Sequence, residues 1–316
     1  MKDQYGREIT YARISITDEC NLRCIYCMPD DGGCQKEHSN LLTADEIVEF
    51  AKKSAELGIH KIRITGGEPL VRPDVLSICE RISAIDGIRE LALTTNGMLL
   101  SRMAYDLKAA GVNRVNVSLD TLQTEKYKRI TRRGKFGEVQ EGIEKAIDAG
   151  LLPLKINTVL IGGFNDDEIT DFVELTREDD VEVRFIELMP IGACASFPKH
   201  AFVKGDLVLE KCPDLVPTTN SGVARMYRFP EGKGKVGIIS AVNQHFCMEC
   251  NRIRLTCDGK IKSCLHSREE VNVRGLHGEE LREVIQKAIY EKPAQHVKLT
   301  YGNVSESERY MNQIGG

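Results

Sequence analysis

The stretch ARISITDECNLRCIYC (12–27) decides the fold. It opens on a short β-rich run, ARISIT (12–17), and runs on into CNLRCIYC (20–27), three cysteines in the spacing CxxxCxxC delivered straight off a strand. In α/β folds the chemistry sits just past the strands. Working outward, similar β-rich runs recur at KIRIT (61–65), ELALT (90–94), RVNVSL (114–119), KINTVL (155–160) and VEVRFIEL (181–188). Between them lie stretches with apolar residues at helical spacing, such as ADEIVEFAKKSAELG (44–58). Thr43 with Glu46 three residues on reads as a capping box, and Gly111 and Gly150 close two further helices. Six βα units imply a parallel sheet with right-handed crossovers, too few for a closed eight-stranded barrel. The expectation is an α/β fold whose residues 1–190 form a partial (β/α)6 barrel.

Beyond Pro190 the pattern changes. Residues 192–222, with Pro198, Pro213 and Pro217, read as irregular loops with one short helix around 205–211. Short strand-like runs follow at ARMYRF (224–229), KVGIIS (235–240) and RIRLT (252–256), then an amphipathic helix near 277–291. Residues 191–316 are therefore expected to form a small α+β domain capping the barrel.

Composition narrows the class. The 316 residues are 41% hydrophobic and 28% charged, with a formal net charge of −4, which speaks against a general nucleic-acid or membrane binder. The sequence has no apolar run of the ~20 residues a membrane helix needs, and MKDQYGREIT has no apolar signal segment. The expected location is cytoplasmic, where the 11 cysteines would serve metal or catalytic chemistry rather than disulfides. Three fall between 20 and 27 and four between 247 and 264. Cys34, Cys79, Cys194 and Cys212 have no metal spacing and read as reduced thiols. The seven histidines form no HxxxH pair.

A four-iron cluster takes one thiolate per iron, so Cys20, Cys24 and Cys27 leave one iron open. An amine and a carboxylate together, as at the methionine end of S-adenosylmethionine (SAM), can chelate that iron. Zinc or free thiols are the alternative, but a structural zinc site wants four ligands and no fourth lies at a usual spacing. TGGEP (65–69), TTNG (94–97) and SLD (118–120) follow the second, third and fourth strands, bringing glycine backbone and hydroxyls to the same end. This arrangement resembles the radical SAM superfamily, which implies a partial barrel holding a [4Fe–4S] cluster at its mouth. It further implies SAM contacts from Tyr26, through its backbone, and from Gly67, Ser118 and Met189, the last placed in the final barrel strand.

FCMECNRIRLTCDGKIKSC (246–264) carries the second group. Cys247, Cys250 and Cys264 suit another three-thiolate cluster; with Cys257 they would make a four-cysteine zinc site, though the pleat turns Cys257 away. Arg252 and Arg254, two apart on one strand, face one side, and guanidinium forks match phosphate oxygens. With Arg13, Arg63 and Lys155 from the first, second and fifth strands they would hold a polyphosphate.

From about residue 5 to the last, the resemblance narrows. CNLRCIYCMP, IRITGGEPL, TTNG, NVSLDT, ITRRG, KINTVL, RFIELMPIG, CNRIRLTCDGK and the terminal IGG resemble the GTP 3′,8-cyclase family of molybdenum-cofactor biosynthesis. The resemblance implies that GTP is bound by Arg13, Arg63, Thr94, Lys155 and the segment Arg252, Ile253, Arg254. Guanine would sit on the open iron of a second [4Fe–4S] cluster held by Cys247, Cys250 and Cys264. It implies catalytic roles for Arg13, Gly315 and Gly316, with the tail YMNQIGG (310–316) entering the site. It implies a SAM-derived radical that takes the ribose 3′ hydrogen. An electron donor, a homodimer and hand-over of product to the next molybdopterin enzyme complete the expectation. The chain departs from the family pattern in a short 192–222 linker, in GVA (222–224) for Gly-Pro-Ala, and in Cys257 where a small residue is usual. Two rival readings are a radical SAM enzyme modifying a peptide and a non-catalytic zinc- or cluster-binding regulator.

Overall fold

A computed structural model describes residues 1–29, 41–243, 246–300 and 302–315. The barrel strands are β1 (Tyr11–Ser15), β2 (Lys61–Thr65), β3 (Glu90–Thr95), β4 (Arg114–Ser118), β5 (Leu154–Leu160) and β6 (Val181–Glu187), adjacent in that order. All five of their pairings are parallel. Helices including Ala44–Glu56, Val75–Ser83, Leu100–Ala109, Phe136–Asp148 and Ile169–Glu178 form the crossovers. The first is capped as expected: the Thr43 hydroxyl accepts from the Glu46 amide at 3.2 Å, and the Glu46 carboxylate accepts from the Thr43 amide at 2.8 Å. Such a cap contributes about 1 kcal/mol.

The strands alternate even though parallel strands buried on both faces usually read as continuous apolar runs. Ile14, Ile62, Ile64, Leu91, Leu93, Val115, Val117, Leu154, Ile156, Val183 and Phe185 join the hydrophobic core. The residues between them on the pleat include Arg13, Arg63, Thr94, Asn116, Lys155, Glu182 and Arg184. The second face of the sheet is therefore polar: Arg13 and Thr94 on it line a cavity, while Arg63, Asn116, Lys155 and Glu182 are buried.

The C-terminal region meets the barrel at both of its edges. The remaining strands are β7 (Val216–Ser221), β8 (Ala224–Arg228), β9 (Lys235–Ile239), β10 (Arg252–Leu255), β11 (Lys260–Lys262) and β12 (Val271–Asn272). Twelve described strands make one sheet in the order β12-β11-β10-β1-β2-β3-β4-β5-β6-β9-β8-β7. β9 pairs parallel with β6 and β10 parallel with β1, so two edges that would otherwise present unpaired backbone are covered. The cap is thus continuous with the barrel sheet.

Three strands were not expected. β7 lies in the stretch read as loop, pairing antiparallel with β8 at the sheet margin; VPTTNS is mostly exposed, so it shows no apolar alternation. β11 and β12 are three and two residues long, below any periodic signal. The short helix is Leu207–Lys211, and GVA forms the β7–β8 turn with Gly222 at φ +60°. Met189 falls two residues past the end of β6, not within it.

Candidate active site

Cys20, Cys24 and Cys27, from the loop after β1, and Cys247, Cys250 and Cys264, from the C-terminal region, line one cavity. Tyr26, Gly67, Thr94, Ser118, Met189, Arg13, Arg252 and Arg254 line the same cavity. Arg63, Lys155 and Ile253 do not form part of its wall. Cys257 is also outside it, buried just past β10, with its carbonyl accepting from the Leu42 amide at 2.7 Å.

The donor sets fit iron–sulfur clusters. Burial pushes the Cys20 thiol up to about 11, with help from the Glu68 carboxylate; burial and its fellow thiols raise Cys24 and Cys27 further. Three half-buried cysteines whose thiols resist ionisation favour a cationic partner, which iron supplies. Among the described residues no three His, Cys, Asp or Glu side chains converge on a point to hold a single metal ion. Each trio instead borders the open cavity, as one thiolate per iron requires. The second trio sits in a more basic setting. At Cys250 burial acts upward, but the charges of Arg252 and Lys292 and hydrogen bonds from Arg252 outweigh it, bringing the thiol down to about 6.

The loops around the first trio are knitted together. A Cβ on Gly67 would stand 2.2 Å from the Glu19 carbonyl oxygen, so only glycine lets this loop press against the residues before Cys20. The Gly67 amide donates to the Thr17 carbonyl and the Glu68 amide to the Glu19 carbonyl, both at 2.7 Å. The Glu68 carboxylate accepts from the Thr95 hydroxyl at 2.8 Å and from the Asn96 amide at 2.7 Å. Asn96 Nδ2 in turn approaches Cys20 Sγ at 3.8 Å. Across the mouth, Asp120, held up near 6 by burial, accepts from the Val159 amide at 2.9 Å and from the Tyr26 hydroxyl. Asn96 and Asp120 stand inside TTNG and SLD, whose glycine and hydroxyl groups alone carry the sequence expectation. Their signal was their place at strand ends.

The basic residues form rows across strands. Register pairs Arg254 of β10 with Arg13 of β1, and Arg13 with Arg63 of β2. One step toward the strand starts, Arg252, Tyr11 and Lys61 are likewise in register. The Tyr11 ring gathers Arg13, Lys61 and Arg63 at 5.6, 5.3 and 5.5 Å from its centroid. Lys61 pairs with Glu90 and Lys155 with Glu182, whereas Arg13, Arg63, Arg252 and Arg254 have no carboxylate partner among the described residues. Arg63 Nε and the Thr94 hydroxyl are buried without a hydrogen-bond partner. Ile253, between the two β10 arginines, turns into the hydrophobic core, so only its backbone faces the row.

The tail is ordered into the site. Residues Met311–Ile314 form a helical turn, Met311 lines the cavity, and Asn312 Nδ2 donates to the Asp18 carbonyl at 3.1 Å. The Gly315 carbonyl accepts from Arg254 at 2.6 Å. Gly316 lies outside the described residues, as does Cys34. His266 and His296 also line the cavity, with ring centroids 4.5 Å apart, though their spacing in the sequence gave no sign of it.

Residues 14–176 match the family model described as the Radical SAM superfamily, and residues 181–298 that described as Molybdenum Cofactor Synthesis C. The GTP 3′,8-cyclase of Alkaliphilus oremlandii is 50% identical over 321 residues, covering 100% of each chain. That of Peptoclostridium acidaminophilum is 49% identical, covering 99% of this chain and 98% of its own. Among solved structures, SuiB of Streptococcus suis matches with a TM-score of 0.64 at 14% identity, over 91% of this chain and 67% of SuiB. At that identity the likeness to SuiB is one of fold.

Proposed function

The chain belongs to the GTP 3′,8-cyclase family of radical SAM enzymes, and from that premise we infer how its residues divide the work. It takes two [4Fe–4S] clusters and SAM, and cyclises GTP in the first step of molybdopterin biosynthesis. When bound, the first cluster and SAM would supply a 5′-deoxyadenosyl radical to take the ribose 3′ hydrogen of GTP, the substrate then closing onto carbon 8 of guanine. The protein's part is orientation and exclusion of water.

In this reading Cys20, Cys24 and Cys27 hold the first cluster, while the Tyr26 and Gly67 backbone, Ser118 and Met189 seat SAM. Cys247, Cys250 and Cys264 hold the second cluster, which takes the guanine. Arg13, Arg252 and Arg254 bind the triphosphate, with Thr94 and the Ile253 backbone beside them. Arg63 and Lys155 support it from beneath the cavity wall, and Gly315 and Gly316 place the ribose. Barrel (1–190) and C-terminal domain (191–316) thus supply one cluster each. Radical formation consumes an electron, so the proposal includes a donor. It extends to a homodimer, hand-over of product to the next pathway enzyme, and a cytoplasmic location.

The observation that carries the reading is the row Arg254–Arg13–Arg63. Like charges side by side on neighbouring strands repel, and no carboxylate among the described residues offsets them, although Arg63 and Arg254 are buried. A polyanion in the cavity converts that repulsion into affinity. The test is anaerobic reconstitution with iron and sulfide, then incubation with reductant, SAM and GTP. The 3′,8-cyclised nucleotide is the expected product, and SAM cleavage without any consumption of GTP would overturn the reading.

A further inference from the structure

The N-terminal residues contribute no cysteine, yet they reach the second cysteine trio. Asp3 and Arg7 are 5% and 7% exposed, and Arg7 Nε donates to Asp3 Oδ2 at 2.6 Å. Asp3 Oδ1 also accepts from the Tyr5 and Arg7 amides, both at 2.9 Å, which fixes the carboxylate and through it the guanidinium plane. Arg7 Nη1 donates to the carbonyls of Cys247 at 2.8 Å and Ala294 at 3.0 Å. Arg7 Nη2 donates to those of Pro293 at 2.7 Å and Lys292 at 3.3 Å. All five N–H donors of the side chain are thereby used, and four of them hold backbone carbonyls.

The acceptors are what give this arrangement a purpose. One is the carbonyl of a cysteine of the trio. The others belong to the loop whose Lys292 ammonium donates to the Ser263 carbonyl, next to Cys264. Cys247 and Cys264 lie on separate pieces of chain, one at the turn Cys247–Glu249 and one just past β11. Holding three thiolates to the corners of a cubane requires those pieces to be fixed relative to each other. A planar fork held by a buried carboxylate does this, where a lysine offers one point of charge.

We propose that Arg7, oriented by Asp3, is a positioning residue that sets the Cys247–Cys250–Cys264 trio for the second cluster. The proposal rests on the reading that this trio holds a cluster. The experiment compares full-length wild type, Arg7→Ala, Arg7→Lys, Asp3→Asn and Cys264→Ala after anaerobic reconstitution. Iron content, cluster EPR, SAM cleavage and far-UV circular dichroism are measured for each. Arg7→Ala and Arg7→Lys are expected to fall from about eight irons per chain to about four. They should keep the EPR signal of the SAM-bound cluster and wild-type SAM cleavage. Asp3→Asn, which keeps an acceptor but not the charge, is expected to lose part of the second cluster. Full iron in both Arg7 variants, or equal loss from both clusters with a disturbed dichroism spectrum, would overturn the proposal. If Cys264→Ala also keeps about eight irons, the cluster assignment fails first, and the positioning role with it.

Discussion

Arg254 Nη1 donates a 2.6 Å hydrogen bond to the carbonyl oxygen of Gly315, joining the second cysteine region to the chain's tail at the end of the arginine row. Gly315 has φ +83°, a backbone region that favours glycine, and a Cβ there would stand 2.2 Å from the Thr65 hydroxyl. Gly315→Ala is therefore expected to displace the tail without disturbing either cysteine trio. Iron content and GTP binding should match wild type. Cyclisation should fall by orders of magnitude, because the radical would form without a placed substrate hydrogen. Deleting Gly315 and Gly316 should do the same, and a full cyclisation rate in both variants would show that the tail plays no part.

The two cysteine trios should fail separately. Cys24→Ala is expected to abolish SAM cleavage. Cys264→Ala should leave cleavage intact but stop GTP turnover, with about four irons retained. Cys257 is 1% exposed and outside the cavity wall, so Cys257→Ser should keep both clusters. Iron loss in that variant would make it a ligand.

Much of this was legible because the barrel strands carry two messages at once. In KIRIT and RVNVS the apolar letters give the helix-facing core, while the letters between them already give the polar face, whose last members, Thr65 and Ser118, line the cavity. Local spacing also placed Arg252 and Arg254 on one face. What was not legible depends on which strands become neighbours. No local pattern says that β10 returns to pair with β1, so the Arg254–Arg13–Arg63 row existed in the sequence only as separate arginines. Lys155 is held by Glu182 because β6 lies beside β5, which draws it away from a direct place in the cavity. Arg7 gave no signal because its acceptors are backbone carbonyls, which any residue provides.

The arginines should act through the substrate's charge. Each of Arg252→Ala and Arg254→Ala removes charge-assisted hydrogen bonds worth roughly 1.5–3 kcal/mol, or about ten- to hundredfold in affinity. GTP binding should weaken by that factor while guanosine binding barely changes. Equal losses for the two ligands would remove the phosphate role. Arg254→Ala should also cost cyclisation beyond its effect on binding, since it frees the Gly315 carbonyl.

Tyr11 offers a test that does not depend on the chemistry of either cluster. Burial alone would raise its phenol, but Arg13, Arg63, Lys61 and Arg252 together outweigh that and bring it from 10.0 down to about 7. Its hydroxyl accepts from Arg13 Nε at 3.2 Å, and the nearby Glu90 is engaged by Lys61. The sign follows from linkage. An acid whose value is lowered on folding contributes stability that is complete above its unfolded value and is lost as pH falls through about 7. A triphosphate settling among the same cations opposes the phenolate and pushes Tyr11 back up. Binding of GTP at about pH 8.5, between the lowered value and the ordinary one, should therefore take up a proton. At about pH 6 the phenol is already protonated, and uptake from this group should vanish. Binding enthalpies in two buffers of different ionisation heat measure the proton count directly. Tyr11→Phe should abolish the uptake at the higher pH while leaving any contribution from the nucleotide's own phosphates. Identical proton counts in wild type and Tyr11→Phe would mean that the cations around Tyr11 are not those that meet the triphosphate.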